Sequence, residues 1–298
     1  MPGNSLEGYI AQKKPLIEKA LAGLFEKRVD PRPARIYDAM KHALLAGGKR
    51  LRPILVIATA EACKSLPPDV TKAACAVELV HTCSLILDDL PSMDNASLRR
   101  GRPTTHVAFG EATAILAADA LLMDAFILVA DNCREARLSA EASAFALKSL
   151  ANAVGPEGMI GGQEVDLEVV GKQASFETLE YISSHKTGAL FTACVELGAV
   201  LARARDFEID ALRNYAKNLG LAFQVRDDVL DAIGSKEKLG KDVHQDSSRT
   251  TFASQFGVES ARKAVADLCR AAEESLDALR ARPEPLVALA RLVSVVEE

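Results

Sequence analysis

Apolar residues recur at helical spacing along nearly the whole chain, and no apolar–polar alternation persists long enough to make a strand. That period predicts helices over roughly 5–27, 33–46, 54–64, 68–90, 108–137, 139–154, 157–171, 176–203, 206–233, 258–281 and 284–297. Turn residues stand between them at Gly47-Gly48, Pro67-Pro68, Gly155-Pro156, Gly171 and Pro283/Pro285, and Ser175 is placed to cap a helix starting at Phe176. Aromatics make up only 5% and Trp is absent, which suits closely packed helices rather than a sandwich of sheets. An all-α antiparallel bundle follows. With 298 residues, 49% of them apolar, the chain can bury one large core, so a single domain over 1–298 is expected.

The formal net charge of -5 lacks the basic surface that sequence-independent nucleic-acid binding needs, so anionic ligands would require a local basic site. The six cysteines, Cys63, Cys75, Cys83, Cys133, Cys194 and Cys269, form no C-x-x-C pair and sit mostly within apolar helical patterns, as expected of reduced thiols. The start of the chain has no basic stretch followed by an apolar one, which argues against a secretory signal and for the cytoplasm. The longest apolar run, Ala112 to Ala130, is interrupted by Asp119 and Asp124; it reads as a buried core helix, with Asp119 bonded to a neighbouring element.

Two acidic clusters close apolar helices. The first is Asp88, Asp89 and Asp94 in HTCSLILDDLPSMD. Pro91 disfavours helical geometry at Leu90 and cannot continue the hydrogen bonding, so the chain should bulge there and could carry Asp94 back towards Asp88. The second is Asp227, Asp228 and Asp231 in FQVRDDVLD, where Asp227 and Asp231 share a helix face and repel one another. Mg²⁺, which takes carboxylate oxygens, water and phosphate, would relieve that repulsion, whereas either cluster alone also reads as a solvated helix end. Cations nearby favour the first reading. Arg99 and Arg100 follow the first cluster, and Lys49, Arg50 and Arg52 precede a further helix, a set suited to phosphate oxygens.

Six ordered motifs carry a resemblance that covers essentially the whole chain: GGKRLRP (47–53), HTCSLILDDLPSMD (81–94), LRRGRPTTH (98–106), GMIGGQEVD (158–166), HKTGALF (185–191) and FQVRDDVLD (223–231). Together they resemble the trans-prenyl diphosphate synthases of the farnesyl/geranylgeranyl type. That resemblance implies the isoprenoid synthase fold, a helical bundle around a central apolar cavity, and a magnesium-dependent prenyl transferase acting on isopentenyl diphosphate and an allylic diphosphate. By the same resemblance Asp88 and Asp94 would hold two magnesium ions on the allylic diphosphate and Asp227 a third, with Asp228 and Asp231 in support. Arg99 and Lys186 would grip that diphosphate, joined by Lys241. Lys49, Arg52, His81 and Arg100 would bind isopentenyl diphosphate, and Thr187 and Gln224 would stabilise the allylic cation. Homodimers are common in the family.

The chain departs from the family pattern in places. Asn95, Ala96 and Ser97 follow Asp94 where more acidic residues are frequent, His244 and Arg249 replace the usual Gly and Lys, and the end, Val-Val-Glu-Glu, carries no basic tail. The polar stretch Gly234–Thr251 lacks apolar spacing and is expected to serve as a mobile lid. Gly161 and Gly162 suggest a close approach to the backbone, and His185 reads as scaffold. Glu78 and His81 make one Glu-x-x-His pair, but a di-iron bundle needs two.

Product length should depend on the side chains about one turn before Asp88. Cys83 and Ser84 would floor the cavity, with Val80 and Val77 deeper. None is aromatic. In the family a bulky aromatic near Cys83 tends to stop growth at fifteen carbons, so small residues favour geranylgeranyl diphosphate, with farnesyl diphosphate the alternative. A terpene cyclase or head-to-head condensing enzyme has no use for a second diphosphate site, and non-catalytic partner subunits tend to lose aspartates that are all present here.

Overall fold

A computed structural model describes residues 6–26, 32–64, 66–233, 251–279 and 283–295. Fourteen α-helices follow one another within them: α1 Leu6–Gly23, α2 Ala34–Leu44, α3 Leu51–Cys63, α4 Thr71–Asp88, α5 Thr105–Phe109, α6 Glu111–Glu135, α7 Ala140–Val154, α8 Met159–Glu168, α9 Phe176–Ile182, α10 Ala189–Leu201, α11 Asp206–Ile233, α12 Phe252–Phe256, α13 Val258–Ser275 and α14 Glu284–Ser294. The all-α expectation holds. One apolar cluster runs from Ile17 in α1 to Val293 in α14, so burial in a single core fixes most of these helices.

The most enclosed helices are α3, α4 and α10. In α4 every residue from Ala73 to Val80 is buried, and in α10 all but three positions are. Small side chains permit this closeness. A Cβ on Gly198 of α10 would meet the Val56 carbonyl oxygen of α3 at 2.5 Å, so only glycine lets the two helices approach so near.

Three departures from the periodic reading have local causes. The expected helix over 176–203 is broken by a π-helical turn, Ser183–Gly188, between α9 and α10. Gly110, at φ +85°, splits the expected 108–137 helix into α5 and α6. A two-residue antiparallel pair, Leu98–Arg99 with Arg102–Pro103, is too short to show alternation in sequence.

By length and composition α6 could cross a membrane. Here one face, including Ala114, Ala117, Ala118, Leu121, Ala125 and Val129, packs into the core, while Ile115, Leu116, Met123 and Ile127 on the other face are exposed. Asp119 lies on that exposed face, with its charge felt by Cys83 on the neighbouring α4. All six cysteines are free thiols, five of them buried.

Candidate active site

The end of α4 behaves as Pro91 predicts. The Asp94 N–H donates to the Asp88 carbonyl at 2.9 Å, and Asn95, at φ +48°, donates to the Leu90 carbonyl at 3.0 Å, so the loop returns Asp94 to Asp88. Burial raises the Asp88 carboxyl to about 6; Asp94 and Asp89 push the same way, and Lys186 and Arg99 oppose. The buried Asp89 is turned from this pair to Arg99. It accepts from Nε at 2.8 and 2.9 Å and from Nη2 at 2.6 Å, a two-pronged grip that fixes the guanidinium on the short hairpin.

The second acidic set is organised through the π-helical turn. Such turns insert one residue into a helix and often mark functional sites. This one is pressed from two sides: a Cβ on Gly162 of α8 would meet the Lys186 nitrogen at 2.2 Å, and one on Gly220 of α11 would meet the Gly188 Cα at 2.9 Å. Lys186 leaves the turn to pair with Asp166 at 2.7 Å, four residues past Gly162 on α8. Thr187 donates its hydroxyl to Gln224 Oε1 at 2.9 Å; Gln224 Nε2 donates to Asp228 Oδ1 at 3.2 Å, and the Phe252 N–H donates to Asp228 Oδ2 at 3.0 Å. Burial raises Asp228 to about 6 despite these two donors, with Asp227 and Asp231 adding to the rise. Asp227 is half-buried and Asp231 exposed at the end of α11.

The basic side chains gather around the Gly47–Arg52 loop. Arg52 Nη1 lies 3.4 Å from His81 Nε2, its guanidinium stands 5.1 Å over the Phe191 ring, and its Nε is buried without a hydrogen-bond partner. Burial, reinforced by Arg52, Arg100, Arg99 and Arg50, holds His81 well below its ordinary value, so the ring is neutral. Arg100 donates to the Gly47 carbonyl and lies flat on Gly48, while Lys49 is exposed. Arg52 also feels the charge of Asp227, and Lys186 that of Asp88, so both carboxylate sets and the cations form one electrostatic unit.

Among the described residues no three His, Cys, Asp or Glu side chains converge into a ready cage. Mg²⁺ is usually held by one or two carboxylates, with water and substrate phosphates completing the shell. The donors are all carboxylates, and two carry raised proton affinity that a divalent cation would offset. Arg52 Nε, a buried donor left over, fits a phosphate oxygen.

Beneath Asp88, Cys83 is buried and Ser84 half-buried, its hydroxyl donating to the His81 carbonyl at 2.9 Å; Val80 and Val77 are fully enclosed. Burial lifts the Cys83 thiol to about 12, so it stays protonated and behaves as a small apolar side chain. A cavity of about 640 Å³ lies elsewhere, beside α11, lined by Phe176, Val225, Phe252 and Phe256 among others; none of the site aspartates lines it. Lys241, His244 and Arg249, with most of the polar stretch expected to act as a lid, lie outside the described residues. Asp166, the partner of Lys186, received no role from the sequence, and Asp89, read there only as a member of the first acidic cluster, was not matched to Arg99. Their signal was position: Asp166 ends the GMIGGQEVD motif one turn after Gly162, and Asp89 adjoins Asp88.

The bundle is all-helical, and its two carboxylate-bearing helix ends stand with Arg and Lys side chains around a π-helical turn, a donor set suited to divalent cations and to polyanions. Residues 33–278 match the polyprenyl synthetase profile, and the chain belongs to that family. It is 41% identical to a geranylgeranyl diphosphate synthase of Cyanophora paradoxa over 96% of this chain and 94% of the relative. It is 39% identical to a farnesyl diphosphate synthase of Bacillus subtilis (strain 168) over 98% of each. An apo crystal structure of an FPP/GFPP synthase from Zymomonas mobilis superposes with a TM-score of 0.85 at 35% identity, covering 99% of this chain and 100% of that one.

Proposed function

We propose that this chain is a chain-elongating prenyl transferase that condenses isopentenyl diphosphate with allylic diphosphates, with geranylgeranyl diphosphate as the product. The carrying observation is the linked network itself: Lys186 between Asp166 and Asp88, and Thr187 joined through Gln224 to Asp228. Family membership and the names of the relatives, which divide between geranylgeranyl and farnesyl products, support the reaction class.

The reaction breaks the allylic carbon–oxygen bond, the electron pair leaving with the diphosphate. Arg99 and Lys186 grip that diphosphate and offset the charge it gains, and the π-helical turn holds Lys186 at a fixed place. Magnesium, on which the family generally depends, would be held by Asp88, Asp94 and Asp227, with Asp228 and Asp231 behind them, three ions in all; bound there, it supplies Lewis-acid stabilisation of the leaving group. The Thr187 hydroxyl oxygen, its proton committed to Gln224, presents lone pairs to the allylic cation. Lys49, Arg52, Arg100 and neutral His81 hold the second diphosphate, aiming the π-bond of isopentenyl diphosphate at the cation. The new carbon–carbon bond takes the π electrons, and the adjacent proton passes to the departed diphosphate. Lys241 joins the allylic grip in this proposal.

Small side chains at Cys83 and Ser84, above Val80, support growth beyond fifteen carbons; farnesyl diphosphate is the second reading, favoured by the Bacillus relative. We also propose one domain, a cytoplasmic setting, and a homodimer formed through the exposed apolar face of α6. Product chromatography after incubating the chain with isopentenyl diphosphate and each allylic primer, with and without magnesium, tests the whole. Magnesium-dependent twenty-carbon product supports it, and no consumption of isopentenyl diphosphate overturns it.

A further inference from the structure

The segment Gly47–Arg52, a loop running into the first turn of α3, contains three cations, and one of them points into the protein. Arg50 is 2% exposed and has a left-handed backbone, φ +54° and ψ +33°, which a non-glycine residue keeps only when its surroundings compel it. The compulsion is visible. Its Nε donates to Glu18 Oε1 at 2.8 Å, Nη2 to Glu18 Oε2 at 3.2 Å and to the Leu44 carbonyl at 2.8 Å, and Nη1 to Glu78. One guanidinium thus fastens α1, the end of α2 and the middle of α4 to the base of the loop.

The other end of the same arrangement is the second diphosphate site. Glu78 and His81 stand three residues apart on α4, one taking Arg50 and the other 3.4 Å from Arg52. Arg50, at the N-cap of α3, and Arg52, in its first turn, are therefore set against neighbouring positions of α4. Lys49, between Gly48 and Arg50, is left exposed, and Arg52 keeps a buried Nε without a partner. Arg50 is the side chain of this segment that ties it to α1, α2 and α4 together, while Leu51 packs against the core and Arg100 holds the Gly47 carbonyl.

We infer that Arg50, anchored by Glu78 and Glu18, is the positioning residue that sets Lys49 and Arg52 for the diphosphate of isopentenyl diphosphate, without touching it. This rests on the proposal that Lys49, Arg52 and His81 hold that substrate. A loop displaced by about an ångström can cost up to a hundredfold in binding or rate, so the effect belongs to one substrate's KM.

The experiment compares steady-state kinetics of the full chain with Arg50→Lys, Arg50→Gly and Glu18→Gln, each with its melting temperature. Arg50→Gly keeps the left-handed backbone and removes the anchor; Glu18→Gln removes one anchor at a residue that is one-third exposed and so tolerant of change. The expected result is a rise of about tenfold in KM for isopentenyl diphosphate in Arg50→Gly, and a smaller rise in the other two. KM for the allylic primer and kcat should stay within about twofold. Wild-type KM for isopentenyl diphosphate in the folded variants, or losses in all constants that merely follow melting temperature, would overturn the inference. If Arg50→Gly does not fold, Arg50→Lys and Glu18→Gln decide by the same criteria. Arg52→Ala separates the two levels. An unchanged KM there sinks the assignment of the site and the inference with it, whereas a raised KM in Arg52→Ala beside unchanged Arg50 variants sinks the inference alone.

Discussion

Gly162 on α8 faces the Lys186 backbone so closely that a methyl group at Gly162 would sit 2.2 Å from the Lys186 nitrogen. The backbone of the π-helical turn has no flexible side chain to give way at that point. Gly162→Ala should displace the turn, costing about 1–3 kcal/mol of stability as overpacking does. Activity should fall further than the melting temperature suggests, because Lys186 and Thr187 ride on the displaced segment. A variant retaining wild-type kcat would show that the turn's placement is not needed.

Lys186 and Asp166 form a half-buried pair, 2.7 Å apart. Lys186→Ala should lower kcat by about a hundredfold or more, the scale seen when one charge-stabilising group is removed. Asp166→Asn should cost less, since the amine remains. In a double-mutant cycle the combined loss should fall short of the sum of the two, because both act through one ammonium group.

Asp88 and Asp228 both titrate near about 6, above the ordinary carboxylate value of about 4. The metal-free folded chain therefore binds protons that the unfolded chain does not as pH falls through that interval. Its stability should rise from about pH 7.5 to about pH 5.5, relative to an Asp88→Asn/Asp228→Asn variant. Magnesium competes with those protons, so the melting-temperature increase it gives should shrink over the same range. Thermal melts with and without chelator measure both slopes.

Cys83→Phe fills the buried space beneath Asp88. Chromatography of the products should show the main species shortened by at least one isoprene unit. An unchanged product distribution would place the floor of the cavity on other side chains.

The exposed face of α6 presents Ile115, Leu116, Met123 and Ile127 in one stripe. Charged residues depress association through such apolar surfaces. Met123→Glu with Ile127→Lys should convert a dimer to monomer in light scattering after size exclusion. A wild-type chain that is already monomeric would remove the premise.

Much of this architecture was legible because a helix that buries one face must repeat its apolar residues, and α4, α7 and α11 do so within a few residues of their expected bounds, whereas α13 ends at Ser275, six residues before its expected end. Pro91 even announced the return of Asp94 to Asp88. The π-helical turn escaped because one inserted residue in an apolar stretch leaves the hydrophobic period almost intact. Arg50 could only be read as one more cation. Its inward direction depends on a positive φ and on Glu18 and Glu78, partners 32 and 28 residues away, which no local pattern records. Asp89 and Asp166 were hidden for a related reason: each serves by orienting a named cation, and pairing across helices leaves no spacing rule behind.

The Asp228 carboxylate accepts a hydrogen bond from the Gln224 amide on one oxygen and from the Phe252 N–H on the other, joining positions 24 residues apart in the chain. A change in charge at this one acid is thus felt at once by the first turn of α12 and, through Gln224, by Thr187. The start of α12 is thus wired to the proposed reaction centre, so isotope exchange at the Phe252 amide would report the state of the acids without any label on the substrate.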